Sequence, residues 1–213
     1  MRTIEKTVYK FNELSETAKE KAIENYRISN YDDFEFRSGD IIYECAEIAK
    51  LFGLDIRQKA GRNGENKTIW IPSVYYSGFC SQGDGACFGG CYSYSKKGAL
   101  KAVKAYAPND TELHGIVKSL QDIQKRCFYG LRANTAHRGR YYHEHCMEID
   151  VEHIDGIDIP ESVQEDIAEC LRDFARWIYE KLETEWEYIN TDEYISEELE
   201  VMDCEFYEDG EMI

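Results

Sequence analysis

Apolar residues recur along this chain at two distinct periods, and the switches between them sketch the fold. Residues 3–11 alternate, with Thr7, Tyr9 and Phe11 on one face, and predict a short strand. The segment "ELSETAKEKAIENYR" moves to helical spacing: Ala18, Ala22 and Tyr26 form a stripe, Ser15 is placed as N-cap, and Glu16 sits in the first turn. That helix is expected to end near "SNYDD". A second is predicted from about Ser38 to Phe52, burying Ile41, Ile42, Cys45, Ile48, Ala49 and Phe52, with Gly53 as its stop.

Strands follow. "LDIRQKA" and "KTIWIPSVYYSGF" flank the turn signal "GRNGEN", and Pro72 places its strand at an edge or a bulge because it cannot donate to a ladder. "CYSYSK" reads as another strand, so "CSQGDGACFGG" is expected to join two antiparallel strands. In this reading Gly83, Asp84 and Gly85 make the turn, Asp84 bonds local amides, and Cys80 and Cys87 lie on the flanking strands as packed thiols. "KGALKAVKAYA" and "DTELHGIVKSLQDIQKRCFYGLRA" are predicted helices, the second with Leu113, Ile116, Leu120, Ile123 and Cys127 inward. "RYYHEHCMEIDVEHI" alternates and predicts a strand with Tyr141, His143, His145, Met147, Ile149 and Val151 on one face and Glu144, Cys146, Glu148 and Asp150 on the other.

The last quarter is helical. Ser162 and Glu165 have capping-box spacing, and Val163, Ile167, Leu171, Phe174, Ile178, Leu182 and Trp186 carry a stripe to about Ile189. "NTDEYISEELEVM" predicts a shorter helix and "DCEFYEDG" a closing strand. No Pro/Gly/Ser-rich linker and no repeat divides the chain. The expectation is one α+β domain over residues 1–213, its sheet mostly antiparallel and residues 161–213 forming an acidic helical segment.

Charge changes that picture more than composition does. The net charge is −17, and residues 161–213 supply most of it: nineteen Asp and Glu against Arg172, Arg176 and Lys181, a balance of −16. Residues 96–140 hold ten Lys or Arg against Asp110, Glu112 and Asp122, a balance of +7. Such asymmetry concerns partners and association rates rather than fold. No run of about 18 apolar residues occurs, which argues against a membrane span. "MRTIEKTVYKF" lacks the apolar core of a signal peptide, so a cytoplasmic setting with reduced thiols is expected. Cys45, Cys127 and Cys170 fall in helical patterns and read as core residues.

Four chemistries compete for the remaining features. Cys80, Cys87 and Cys91 are spaced by seven and four, not as in common zinc knuckles; with His143, His145 and Cys146 they make zinc an alternative, while the main expectation is no metal and no cofactor. Cys80 or Cys87 with His143 or His145, and Asp84 as orienter, is the minimum of a Cys–His hydrolase, but no nucleophile signature accompanies them. Together with Gln82, the same residues make a small-ligand site the second reading, to which Lys96, Lys97, Lys101 and Lys104 would add anion affinity. The fourth feature is the acidic end, whose carboxylates at helical spacing can imitate a row of phosphates.

Three segments, "YKFNELSETAKEKAIENYR", "GFCSQGDGACFGG" and "EYINTDEYISEELEVMDCEFYEDGEMI", resemble a widespread family of small phage and prophage accessory proteins. The resemblance brings no catalytic residue. It implies an accessory protein acting inside a bacterium, of the kind that inhibits host defence by anti-restriction or anti-CRISPR action. The expected function is therefore non-enzymatic: binding of a basic or nucleic-acid-handling host protein through Glu180, Glu183, Glu187, Asp192, Glu193, Glu197 and Glu198, without direct binding of nucleic acid or membrane.

Overall fold

The computed structural model describes residues 6–29, 31–62, 64, 66–95 and 98–213. In chain order its elements are β1 (Tyr9–Lys10), α1 (Glu16–Ser29), α2 (Tyr31–Leu51), β2 (Leu54–Ile56), β3 (Gln58–Arg62), β4 (Thr68–Pro72), β5 (Val74–Ser77), β6 (Gly85–Phe88), β7 (Gly90–Ser93), α3 (Ala99–Tyr106), α4 (Thr111–Arg126), β8 (Leu131–His137), β9 (Met147–His153), α5 (Glu161–Ile189), α6 (Asp192–Val201) and β10 (Glu205–Phe206). Every strand pair is antiparallel, and the fold class is α+β as expected. The chain divides into two compact units: a terminal unit of residues 1–39 and 183–213, and a central unit of residues 40–182.

The central unit is built on a four-stranded sheet in the order β2-β7-β8-β9. Leu54, Ile56, Tyr92, Leu131, Ala133, Thr135 and Met147 are buried, whereas Asp55, Cys91, Arg132 and Asn134 alternate with them and are exposed. Helix α5 contributes Ile167, Leu171, Phe174, Ile178 and Leu182, all fully buried. The Phe174 ring meets Phe52 and Phe88 edge-on, at centroid distances of 5.1 and 5.9 Å, and stacks on Trp177. Trp177 Nε1 donates to Asp110 Oδ2 at 2.9 Å, and Asp110 Oδ1 accepts the Leu113 amide as N-cap of α4.

Strand β8 replaces the expected continuation of helix through Ala133. After Arg126 the backbone turns through Phe128 and Tyr129 at φ +52° and +62°, which no helix accommodates. The buried Gln124 amide then donates to Leu131 O and accepts from Leu131 N, at 2.8 and 3.1 Å, restarting the chain as a strand. Two further strand expectations are corrected. The run 54–60 and the run 67–79 each break, at Arg57 and Ser73, because these residues bond across (Ser73 N to Arg57 O, 2.7 Å) while the flanking segments join different sheets. Pro72 ends β4 in a two-stranded sheet, an edge position as expected. Strand β9 begins only at Met147, since residues 144–146 curl into a 3-10 turn.

In the terminal unit the short β1–β10 pair places Phe11 against Phe206, ring centroids 6.0 Å apart. Ser15 caps α1 as predicted, accepting from Ala18 N at 3.3 Å, and Ala18 and Ala22 are buried. The predicted strand 3–11 shrinks to two residues: Leu14 N bonds Phe11 O and the Glu13 carboxylate takes the Lys10 amide, which favours a 3-10 turn (residues 3–5 lie outside the described residues). Helix α2 begins at Tyr31, seven residues before Ser38, and Arg37 there binds Asp33, Glu185 and the Tyr194 hydroxyl. Helix α5 starts at Glu161, so Ser162 lies inside it and cannot cap; Pro160 O instead receives the first amides. Thr191 caps α6 through Tyr194 N at 3.2 Å.

Candidate functional site

The glycine-rich stretch is a hairpin between β5 and β6, with Ser77 paired to Gly85. Asp84 Oδ2 accepts the amides of Cys80 and Ser81 at 3.1 and 2.7 Å, and Gly83 supplies φ +100°. Gly85 belongs to β6 rather than to the turn, because its backbone pairs in the ladder. Cys80 is likewise not on a strand: it is exposed in the loop, with Gln82 exposed at the tip. Cys87 sits on β6, fully buried as expected.

A second segment closes on this hairpin. His143 is extended, and Cys146 N then returns to His143 O at 2.8 Å, which makes the 3-10 turn Glu144–Cys146. His143, Glu144 and His145 thereby bring ligand-type atoms within 4.8 Å of one another. Glu144 is buried; its Oε1 faces Arg176 Nη1 at 3.3 Å and its Oε2 faces His143 Nδ1 at 3.1 Å. Gly85 fits beneath: a Cβ there would lie 3.0 Å from His143 Cδ2, 3.2 Å from His143 Cα and 3.4 Å from Glu144 Oε2. The "GDG" and "HEH" motifs are thus two sides of one contact, and Gly85 is glycine for close approach.

The structure brings His143 and His145 together, rings stacked at 5.2 Å, but it separates the cysteines. Cys80 is exposed in the loop, Cys87 is buried, and Cys91 is exposed on β7, where its thiol meets Asn134 Oδ1 at 3.0 Å. Burial pushes the Cys87 thiol up to about 12, with Cys146 adding in the same direction, so it holds its proton at neutral pH. Among the described residues no histidine nitrogen bonds the Cys80 thiol. An open cleft of about 510 Å³ lies at the start of α4, lined by Asp110, Thr111, Glu112 and Lys181 among others. Of the lysines considered for anions, Lys96 and Lys97 lie outside the described residues, and Lys101 and Lys104 are exposed on α3.

The acidic residues fall into two settings. Glu180 belongs to the central unit, beside Glu112, whose carboxyl is raised above its ordinary value by burial and then by the Glu180 charge. Glu183, Glu187, Asp192, Glu193, Glu197 and Glu198 belong to the terminal unit. Asp192 is engaged by Arg27; the other five have no ion-pair partner among the described residues.

Three residues of the hairpin–turn contact escape the sequence reading: Glu144, Gly85 as a packing glycine, and Arg176. Alternation assigned Glu144 to the face opposite both histidines, and only the 3-10 turn reverses that. The tripeptide His-Glu-His was the available signal; Arg176 had none, lying 32 positions away from Glu144.

No curated protein and no solved structure matches this chain. Residues 38–192 match the model of DUF8835, a domain of unknown function, and the chain belongs to that family.

Proposed function

We propose that this protein acts by binding rather than by catalysis, its terminal unit presenting carboxylates to a cationic protein surface. The observation that carries the reading is the charge of residues 183–213, with thirteen Asp and Glu and no Lys or Arg. The basic side chains described in the same unit are engaged: Lys10 with Asp203 and Glu205, Lys19 with Glu16, Lys21 with Asp209, Arg27 with Glu24 and Asp192, Arg37 with Asp33 and Glu185, and Lys6 over the Tyr207 ring. Glu193, Glu197 and Glu200 remain on the exposed face of α6.

That arrangement works against the helix. Like charges three and four residues apart repel, and carboxylates near a helix C-terminus oppose its dipole. A stripe that weakens its own helix is readily understood if a partner compensates it. Repeated carboxylates suit a protein surface shaped for phosphates, and complementary fields accelerate encounter. The resemblance to phage accessory proteins supports a host defence factor as the target class.

The test is capture from bacterial lysate by the tagged full chain, beside the Glu193→Gln/Glu197→Gln/Glu200→Gln variant. A partner retained by the wild type, released by salt and by duplex DNA, and lost from the variant is the expected result. Equal capture by the variant would refute the acidic-surface reading.

A further inference from the structure

We infer that His143, Glu144 and His145 form a site for a divalent transition-metal ion, zinc by the character of the donors. Two imidazoles and one carboxylate are the donor set of a three-ligand zinc site that keeps a position open to water. The site lies in the central unit and does not rest on the acidic surface.

The geometry around His143 Nδ1 carries the argument. This nitrogen accepts the His145 amide at 3.2 Å, so it presents a lone pair. The same nitrogen lies 3.1 Å from Glu144 Oε2, another lone-pair donor. A cation placed between Nδ1 and Oε2 would meet a lone pair from each and would give up only the long amide contact. The spacing also fits: with bonds of 2.0–2.1 Å, two tetrahedral zinc ligands stand roughly 3.3 Å apart. His145 is exposed and already stacked on His143, so its ring can turn to supply the third donor.

The surroundings are those of a supported ligand set. Arg176 holds the other oxygen of Glu144 at 3.3 Å, fixing the carboxylate while leaving Oε2 to the ion. The guanidinium charge that would repel a cation is itself met by Glu169, at 2.8 Å, and by Asp173. Gly85 completes the arrangement, since any side chain there would push against both His143 and Glu144.

The experiment uses the full chain, stripped with EDTA and titrated with Zn²⁺ by calorimetry and with Co²⁺ by absorbance. One ion per chain is expected, with a cobalt spectrum that lacks the intense thiolate charge-transfer band. His145→Ala, at an exposed position, should fold normally and weaken binding at least tenfold; Glu144→Gln should do the same if circular dichroism shows it folded. Arg176→Lys, which keeps a positive charge beside Glu144, should weaken binding less than either ligand variant. No binding by the wild type, undiminished binding by His145→Ala, or a thiolate band would each overturn the proposal.

Discussion

The two units of this molecule hold the same number of acidic residues and use them differently. Each contains twenty-one Asp and Glu, but the central unit has eighteen Lys and Arg over 143 residues and the terminal unit seven over 70. The balances are −3 and −14. In the central unit carboxylates are absorbed into structure: Asp110 caps α4 and binds Trp177 and Lys181, and Glu144 binds Arg176. In the terminal unit several stand unpaired on a helix face. The family match covers the whole central unit and runs on through Glu183, Glu185, Glu187 and Asp192, ending before Glu193, Glu197 and Glu198. One part of the chain is therefore constrained by packing, the other by its charge toward solvent, and substitutions should separate them.

The largest effect is expected at Phe174, fully buried among Phe52, Phe88 and Trp177. Phe174→Ala should cost about 3–5 kcal/mol, read as a lower urea midpoint. The opposite sign is expected for Glu193→Gln/Glu197→Gln/Glu200→Gln, which removes repulsion and should raise the midpoint slightly while ending partner capture. If that variant destabilised the chain as a core variant does, the distinction between the units would fail.

Cysteine substitutions sharpen the comparison within the hairpin. Cys87→Ser places a hydroxyl in a fully buried position and should cost about 1–3 kcal/mol. Cys80→Ser, exposed in the loop, should be nearly silent. A thiol reagent applied to the native protein should label Cys80 and spare Cys45, Cys87 and Cys170, the three thiols that burial pushes up to about 12. Rapid labelling of Cys87 would contradict the packed hairpin.

Legibility in the sequence also followed this line between packing and geometry. Helix starts with a clean stripe were legible: Ser15 caps α1 as the sequence predicts, and α4 begins where its apolar stripe begins. Strand β8 was not, because Leu131, Ala133 and Thr135 alternate directly after a helical stripe. What ends that stripe is two positive-φ residues and a buried glutamine, which carry no periodic signal. The hairpin turn was legible through Asp84 and Gly83, whereas the contact of Gly85 with Glu144 was not. It depends on a one-turn departure from alternation and on Arg176, far along the chain. Local chemistry is written in short windows; convergence of distant side chains is not.

A smaller effect than that of Cys87 is expected at Asp110. Burial alone would raise its carboxyl, but the Leu113 amide, Lys181 and Trp177 together hold it below its ordinary value. Its stabilising contribution is thus complete above the ordinary carboxylate value of 3.8 and is lost as pH falls through the depressed one. Asp110→Ala should cost about 1–2 kcal/mol at neutral pH, the usual loss of an N-cap. Asp110→Asn, which retains an acceptor for the amide, should cost less and flatten the acid limb of the stability curve.

The smallest predicted effect tests the comparison most directly, because it sets one like-charge pair from each unit side by side. Glu112 is raised by burial and by Glu180, so the folded chain holds this proton more tightly than the unfolded chain does. The sign is opposite to that of Asp110: stability from this pair rises as pH falls from the raised value toward the ordinary glutamate value of 4.5. Where both carboxylates are charged they repel across an exposed surface. Glu112→Gln should then gain a few tenths of a kcal/mol, in the range of about 0.2–0.5 known for exposed like-charge pairs. Glu180→Gln should gain a similar amount, and the double variant should gain no more than either, since one repulsion can be removed only once. Glu197→Gln should give a gain of the same size. Glu193→Gln should give a smaller one, since Glu193 lies in the first turn of α6, where its charge suits the dipole. Only this pair should also alter partner capture. Thermal midpoints of the four single variants, with capture measured in parallel, would show whether charge in the central unit is structural while charge in the terminal unit serves binding.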